Sequence, residues 1–186
     1  MNVLNDRVVE LSRWLKSESR APIACIMGMT NSGKSTVVMK LSSFGFAVVQ
    51  PGKVIRQSLI TGSMKSPKGT IGMDVPEWDD MVIDVVFQAV DSNPISNVIV
   101  DGFPRNYRQL AMVLGKGNVT GRQVRIVHVD ATEEVRSRRA REGGEEWDRK
   151  NFVTRNDDEL KRFPTLLALA RKAVGPGNFY WIINNE

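Results

Sequence analysis

Cysteine occurs once in this 186-residue chain, at position 25. An internal disulfide is therefore excluded, and a structural zinc site built on several thiolates is excluded with it. Histidine also occurs once, as His128 inside an apolar run, where a packed core role is the simplest reading. No apolar stretch approaches the roughly 18 residues of a membrane helix. The N-terminus has no compact apolar signal core, because Asn5, Asp6, Arg7 and Glu10 interrupt it. A cytoplasmic protein without a membrane partner is the expectation that follows. The net charge is +5, yet no dense Lys/Arg block and no interleaving of aromatic with basic residues accompanies it. Nucleic acid is thus not the expected partner, and a small, highly anionic ligand accounts for the excess equally well. Repeats and low-complexity segments are absent as well. What remains is ordinary for a globular domain: 41% apolar and 25% charged residues, enough for one full core.

Against that background one stretch is sharply defined. Gly28-Met29-Thr30-Asn31-Ser32-Gly33-Lys34-Ser35 fits G-x-x-x-x-G-K-[ST] at every fixed position. The apolar run Ile23 to Met27 feeds into it as a buried strand, and Ser35 to Leu41 is helix-compatible. Strand, glycine loop and helix N-terminus together aim backbone N–H groups and a helix dipole at one point, which is an anion site. Lys34 adds a mobile cation, and the Ser35 hydroxyl is suited to Mg2+ once a triphosphate is bound. The reading is an ATP-binding loop.

The rest of the chain alternates. Further strand-like runs span 46–50, 97–101, 124–129 and 179–183, separated by helical patterns at 78–91, 106–115, 132–142 and about 154–173. Near-continuous apolar strands between helices indicate a parallel sheet covered on both faces, an α/β fold. Residues 3–18 precede it as an amphipathic helix, with Leu4, Val8, Leu11, Trp14 and Leu15 on one stripe. Two stretches break the rhythm: the Gly/Pro-rich segment 51–76 around one short helical piece, and the polar segment 143–153. Ligands of open α/β sheets bind beyond the C-terminal strand ends, where both segments leave.

The second chemical signal is Val98-Ile99-Val100-Asp101-Gly102-Phe103-Pro104-Arg105. A strand ends in a carboxylate, turns through Gly and Pro, and an arginine follows at once. Asp101 in that place lies beside the glycine loop, within reach of a phosphate-bound cation directly or through water. A strand-ending Asp that only caps a turn is the plainer reading, and it leaves the arginine unexplained. At these residues the chain resembles the nucleoside monophosphate kinases, above all adenylate kinase and its uridylate/cytidylate relatives. Their hallmark is Asp-Gly-Phe-Pro-Arg with a base-reading residue four positions later, here Gln109.

The resemblance implies a three-layer P-loop fold with a five-stranded parallel sheet in the order 2-3-1-4-5. It implies a single domain over 1–186, a monophosphate-binding insert at about 51–77 and a lid at about 139–154. Gly28, Asn31, Ser32, Gly33, Lys34, Ser35 and Thr36 would hold ATP, with Mg2+ near Ser35 and Asp101. Gly52-Lys53-Val54-Ile55-Arg56 stands where the relatives open their acceptor subdomain, so Gly52, Arg56, Gly102, Arg105 and Gln109 would bind the acceptor. Two planar guanidinium forks can fix one phosphate in orientation. The lid of the relatives ends in Arg-x-Asp-Asp, matched by Arg155-Asn156-Asp157-Asp158, and a second arginine normally follows eleven residues on. Here Arg162 follows after seven, which on a helix keeps nearly the same face. In the run Glu133 to Arg141, Arg138 aligns best with the arginine that packs on the donor base, with Arg139 as the alternative, and Arg141 stands where a further phosphate arginine is implied.

The implied activity is transfer of the ATP γ-phosphoryl group to a nucleoside monophosphate by a monomer, with Lys34, Asp101, Arg105, Arg155 and Arg162 as the catalytic set. No general base is needed, since a phosphate monoester with a second pKa near 6 is already largely a dianion at neutral pH. Gln109 favours AMP or dAMP, because a carboxamide both accepts from and donates to adenine. A pyrimidine acceptor, or a nucleotide-binding module that has lost turnover, are the alternatives. Two departures bear on them: Pro51-Gly52-Lys53 replaces the usual small residue and Gly-Asp, and Arg162 follows Arg155 after seven residues where eleven are usual. Separately, the helix 3–18 precedes the first strand where typical members have none. That helix is expected to cover a sheet face which relatives cover with a C-terminal helix.

Overall fold

The computed structural model describes residues 3–18, 20–65, 76–142 and 146–185, apart from the side chains of residues 3, 146–151, 154 and 155. The Gly/Pro-rich stretch 66–75, residues 143–145 and the Trp147 side chain lie outside the described residues. In chain order the elements are α1 (Val3–Leu15), β1 (Ile23–Met27), α2 (Lys34–Ser42), β2 (Ala47–Val49), α3 (Pro51–Ile60), α4 (Pro76–Asp91), β3 (Val98–Asp101), α5 (Tyr107–Thr120), β4 (Val124–Asp130), α6 (Glu133–Glu142), α7 (Glu146–Val174) and β5 (Phe179–Ile183). The strands form one sheet in the order β2-β3-β1-β4-β5, every neighbouring pair parallel.

The two-residue period of the strands sorts the core into two layers. Cys25, Met27, Val98, Val100, Val124 and Ile126 face one way, onto Ile55 of α3, Trp78, Val85, Val86 and Val90 of α4, Leu110 and Val113 of α5, and Leu166 and Ala170 of α7. Ala24, Ile26, Ile99, Val127, Val129 and Ile182 face the other way, onto α2 and α1. The N-terminal helix therefore does cover a sheet face: of the expected stripe Leu4, Val8, Leu11 and Leu15 are buried there, and Trp14 packs against them partly buried. Its C-terminal end is held by Arg125, a fully buried cation in mid-strand that the apolar reading of β4 passes over. Arg125 donates to the Trp14 carbonyl, reaches Glu18 at 2.6 Å and lies 4.4 Å from the Trp14 ring centroid. Exposed carbonyls at a helix C-terminus, a carboxylate and an aromatic face together compensate the burial of the charge.

Three elements differ from expectation. Helix α5 runs on through Gly115 and Gly117 to Thr120 instead of stopping near 115. Gly117 is required by packing, because a Cβ there would meet Val124 Cγ2 at 2.7 Å and the Arg122 carbonyl at 2.8 Å. The polar segment 146–153 is the first part of the 29-residue α7, not an irregular insert. Glu, Arg and Lys sustain a helix about as well as Leu or Met does, and no Gly or Pro occurs between Glu146 and Pro164. Trp181, which as a large aromatic in a strand-like run reads as a core residue, is half exposed on the edge strand β5, where it stacks over His128 with ring centroids 5.9 Å apart. No described helix is long and apolar enough to cross a membrane.

Candidate active site

Parallel strands end at a common edge, and the register sets what meets there. Ile26 of β1 pairs with Asp101 of β3, and Met27 with His128 of β4. The glycine loop therefore leaves β1 directly beside the Asp101 carboxylate, and the Gly102 N–H donates to the Ile26 carbonyl at 3.0 Å. Tight packing dictates the glycines. A Cβ on Gly28 would meet the Val129 carbonyl oxygen at 2.2 Å, and one on Gly33 would meet Asn184 Nδ2 at 2.1 Å. Gly33 and Asn31 take left-handed φ values of 89° and 61°, a conformation that Gly adopts freely and Asn more readily than most residues.

The loop is folded as an anion cradle. Among the described residues the amides of Gly33 and Ser35 donate no hydrogen bond, and Asn31 Nδ2 and Ser32 Oγ are buried without a partner. Such orphaned donors at a helix N-terminus fit an incoming phosphate. Lys34 turns its Nζ back to the carbonyls of Gly28 at 2.8 Å and Met29 at 2.7 Å. Ser35 and Thr36 open α2, both exposed. Ser35 and the partly buried Asp101 offer the hard oxygen donors that Mg2+ prefers. Asp101 Oδ2 accepts from Gln50 Nε2 at 2.8 Å, which ties the end of β2 to the end of β3.

Gln50 is followed at once by α3, with Pro51 at its first position and Gly52 and Arg56 on its first turns. A Cβ on Gly52 would stand 3.6 Å from Arg56 Nη1. Arg56 and Lys53 are exposed. Beyond β3, Gly102 at φ 67° makes room for Arg105, whose Nε donates to the Gly102 carbonyl at 2.9 Å; a Cβ there would lie 3.2 Å from Nη2. Two arginines thus rise from the ends of neighbouring strands, on the Asp101 side of the glycine loop.

Gln109 has a partner set other than the one the resemblance implies. It is buried, its Oε1 accepts the Arg105 backbone N–H at 2.8 Å, and its Nε2 donates to Asp79 Oδ1 at 2.7 Å. Asp79, on α4, also accepts from Asn106 Nδ2 at 2.8 Å, and Asn106 caps α5 by accepting from the Gln109 N–H at 2.9 Å. Sequence reading misses Asp79 entirely. Its one signal is position, an acid in the first turn of a helix that packs against the Arg105 turn.

The arginine beside the donor loop also shifts. Arg138, aligned best for that place, is half exposed and, among the described residues, has only Glu142 as an ion-pair neighbour, at 4.0 Å. Arg139 faces the glycine loop instead, donating to the Asn31 carbonyl and to Asn184 at 3.1 Å. Successive helix residues diverge by about 100°, so a one-residue slip in register sends the side chain off the site. Arg141 is exposed. Arg136 is buried and joined to Asn156 of α7. The Arg155 side chain lies outside the described residues; Arg162 is exposed on the same continuous helix.

Burial governs the remaining titratable groups. The Cys25 thiol is pushed up to about 12 by complete burial, which leaves it protonated and inert. His128 lies between Phe163 and Trp181. Its pKa is lowered, chiefly by desolvation and further by Lys34, against an opposing pull from Asp130.

Residues 27–155, well over half of the chain, match the family model described as AAA domain. The chain is also 32% identical over 89 residues to UMP-CMP kinase 2 of Oryza sativa subsp. japonica, an alignment that covers 45% of this chain and 35% of the relative. The matched part is thus about a third of that relative's length. Both findings support the resemblance to the nucleoside monophosphate kinases drawn from the motifs.

Proposed function

The chain belongs to the AAA domain family, and on that premise we propose that it is a nucleoside monophosphate kinase which moves the terminal phosphoryl group of ATP to a nucleoside monophosphate. The observation that carries this reading is the juxtaposition at one sheet edge: an anion cradle with open amides at Gly33 and Ser35, Asp101 beside it, and Arg56 and Arg105 from the next strand ends. A simple nucleotide-binding module needs only the first of these. The arginine pair supplies a second phosphate site.

In this reading Gly28, Asn31, Ser32, Gly33, Lys34, Ser35 and Thr36 hold the donor phosphates, with Arg139 in the place first given to Arg138. Ser35 and Asp101 hold Mg2+, which when bound neutralises charge on the phosphate oxygens. Arg56 and Arg105 orient the acceptor phosphate, and Arg155 and Arg162 neutralise the transferring group. The segment at about 51–77 serves as the acceptor insert and that at about 139–154 as a lid excluding water. Catalysis rests on positioning and charge, with no base required.

For the acceptor base the proposal is adenine, as AMP or dAMP, from the Gln109 carboxamide. A pyrimidine acceptor is the second reading. It is favoured by the engagement of that carboxamide with Arg105 and Asp79 and by the name of the rice relative. Incubation with ATP, Mg2+ and a panel of ribo- and deoxyribonucleoside monophosphates, followed by chromatography, tests both. Diphosphate formation is expected, fastest with an adenine acceptor. Tight ATP binding without any acceptor turnover would overturn the kinase reading, and preference for CMP or UMP would overturn the adenine one.

A further inference from the structure

One carboxylate meets the glycine loop from far along the chain. Glu159 of α7 accepts the Thr30 backbone N–H through Oε2 at 2.5 Å and the Thr30 hydroxyl through Oε1 at 2.7 Å. Thr30 is 6% exposed, so the pair is shielded from water on the loop side. Both carboxylate oxygens are used, and the two donors belong to one residue, so the contact fixes orientation as well as distance. It also spares the anion cradle, because the amides of Gly33 and Ser35 stay open while Thr30, on the loop's shoulder, is taken.

The position of Glu159 on its helix gives the contact its meaning. Residue 155 lies four positions before it and residue 162 three after, so all three fall on one face of an uninterrupted helix. Turning residue 159 toward the loop turns that face with it. We propose that Glu159 is a positioning residue: by clasping Thr30 it sets the rotation and height of α7 over the donor loop, and so registers Arg155 and Arg162 on the phosphoryl group. This rests on the kinase reading for its consequence, though the clasp itself does not. It predicts a role for the hydroxyl at position 30, where the motif pattern admits any residue.

The test uses the full chain with Glu159→Ala, Glu159→Gln and Thr30→Ala. Three readouts are taken: hydrogen exchange of the segment containing the Thr30 amide, affinity for a non-hydrolysable ATP analogue, and steady-state turnover. Glu159→Ala is expected to speed exchange at Thr30 at least tenfold, to lower kcat tenfold or more, and to leave analogue affinity within about threefold. Glu159→Gln, which keeps one acceptor oxygen, should recover part of kcat, and the Ala/Ala double variant should lose little beyond Glu159→Ala alone. Unchanged exchange at Thr30 would overturn the clasp. A tenfold gain in analogue affinity would overturn it too, by showing a carboxylate that competes with phosphate. If the wild-type chain makes no diphosphate, the kinase reading falls, and the clasp is decided by exchange and analogue affinity alone.

Discussion

Replacing Asp79 by Ala perturbs the side of the site proposed for the acceptor without touching either arginine. Asp79 is buried and satisfies two donors, Gln109 Nε2 and Asn106 Nδ2. Leaving a buried donor unpaired costs about 1–3 kcal/mol. Gln109 is 3% exposed and bears most of that cost, whereas Asn106 is only part-buried and bears less. Removing a buried carboxylate returns some of its desolvation cost, so the net loss is about 2–3 kcal/mol. For a chain of this size each kcal/mol lowers Tm by about 2–4 °C, giving a fall of roughly 4–12 °C by thermal unfolding. Asp79→Asn keeps one acceptor and should fall between wild type and Ala. The kinetic consequence follows through Gln109, whose Oε1 holds the Arg105 backbone N–H. At a temperature where the variant is folded, KM for the acceptor should rise several-fold while ATP affinity holds. A Tm within about 1 °C of wild type, or an Asn variant less stable than the Ala variant, would refute the account of this network.

Three further outcomes are expected. Arg105→Ala should cut turnover by two or more orders of magnitude with ATP binding nearly intact; an equal loss of ATP affinity in calorimetry would place the residue on the wrong substrate. Leu11→Ala should destabilise by about 2–5 kcal/mol, because Leu11 is wholly buried between α1 and the sheet, and deleting residues 1–18 should lower Tm further; an unchanged Tm would mean that α1 is not part of the core. His128 has a folded pKa below its unfolded value, so its contribution is present at neutral pH and is lost as pH falls from about 6.5 toward the folded value, where the unfolded chain binds the proton first. Stability measured by denaturant should therefore decline across that acidic window in wild type and decline less in His128→Phe; parallel curves would refute it.

The strands and the loop between Gly28 and Ser35 are legible in the sequence because their causes are local: an apolar run, then glycines where a Cβ would strike Val129 or Asn184. Asp101 is legible for the same reason, as the last residue of such a run. The stripe Leu4, Val8, Leu11 and Leu15 announces its own burial. What stayed hidden depends on partners far along the chain. Thr30 and Glu159 are 129 residues apart, and Gln109 and Asp79 are 30 apart, so neither pairing leaves a trace in local spacing. Gln109 illustrates this well, since the same carboxamide that suits a base also suits Asp79 and a backbone N–H. Arg138 and Arg139 fail in another way. Both lie on one helix, and only the angle at which α6 crosses the loop decides between them.

Helix α7 is one rod of 29 residues, about 43 Å at 1.5 Å per residue. Its far half is cemented into the core by Leu166 and Ala170, and its near half carries residues 155, 159 and 162. Pro164 stands between the halves, where the missing N–H leaves the carbonyl of Leu160 without its helical partner. A rod does not relax like a loop. Any displacement of its near half bends the rod at Pro164 or levers Leu166 and Ala170 against the sheet.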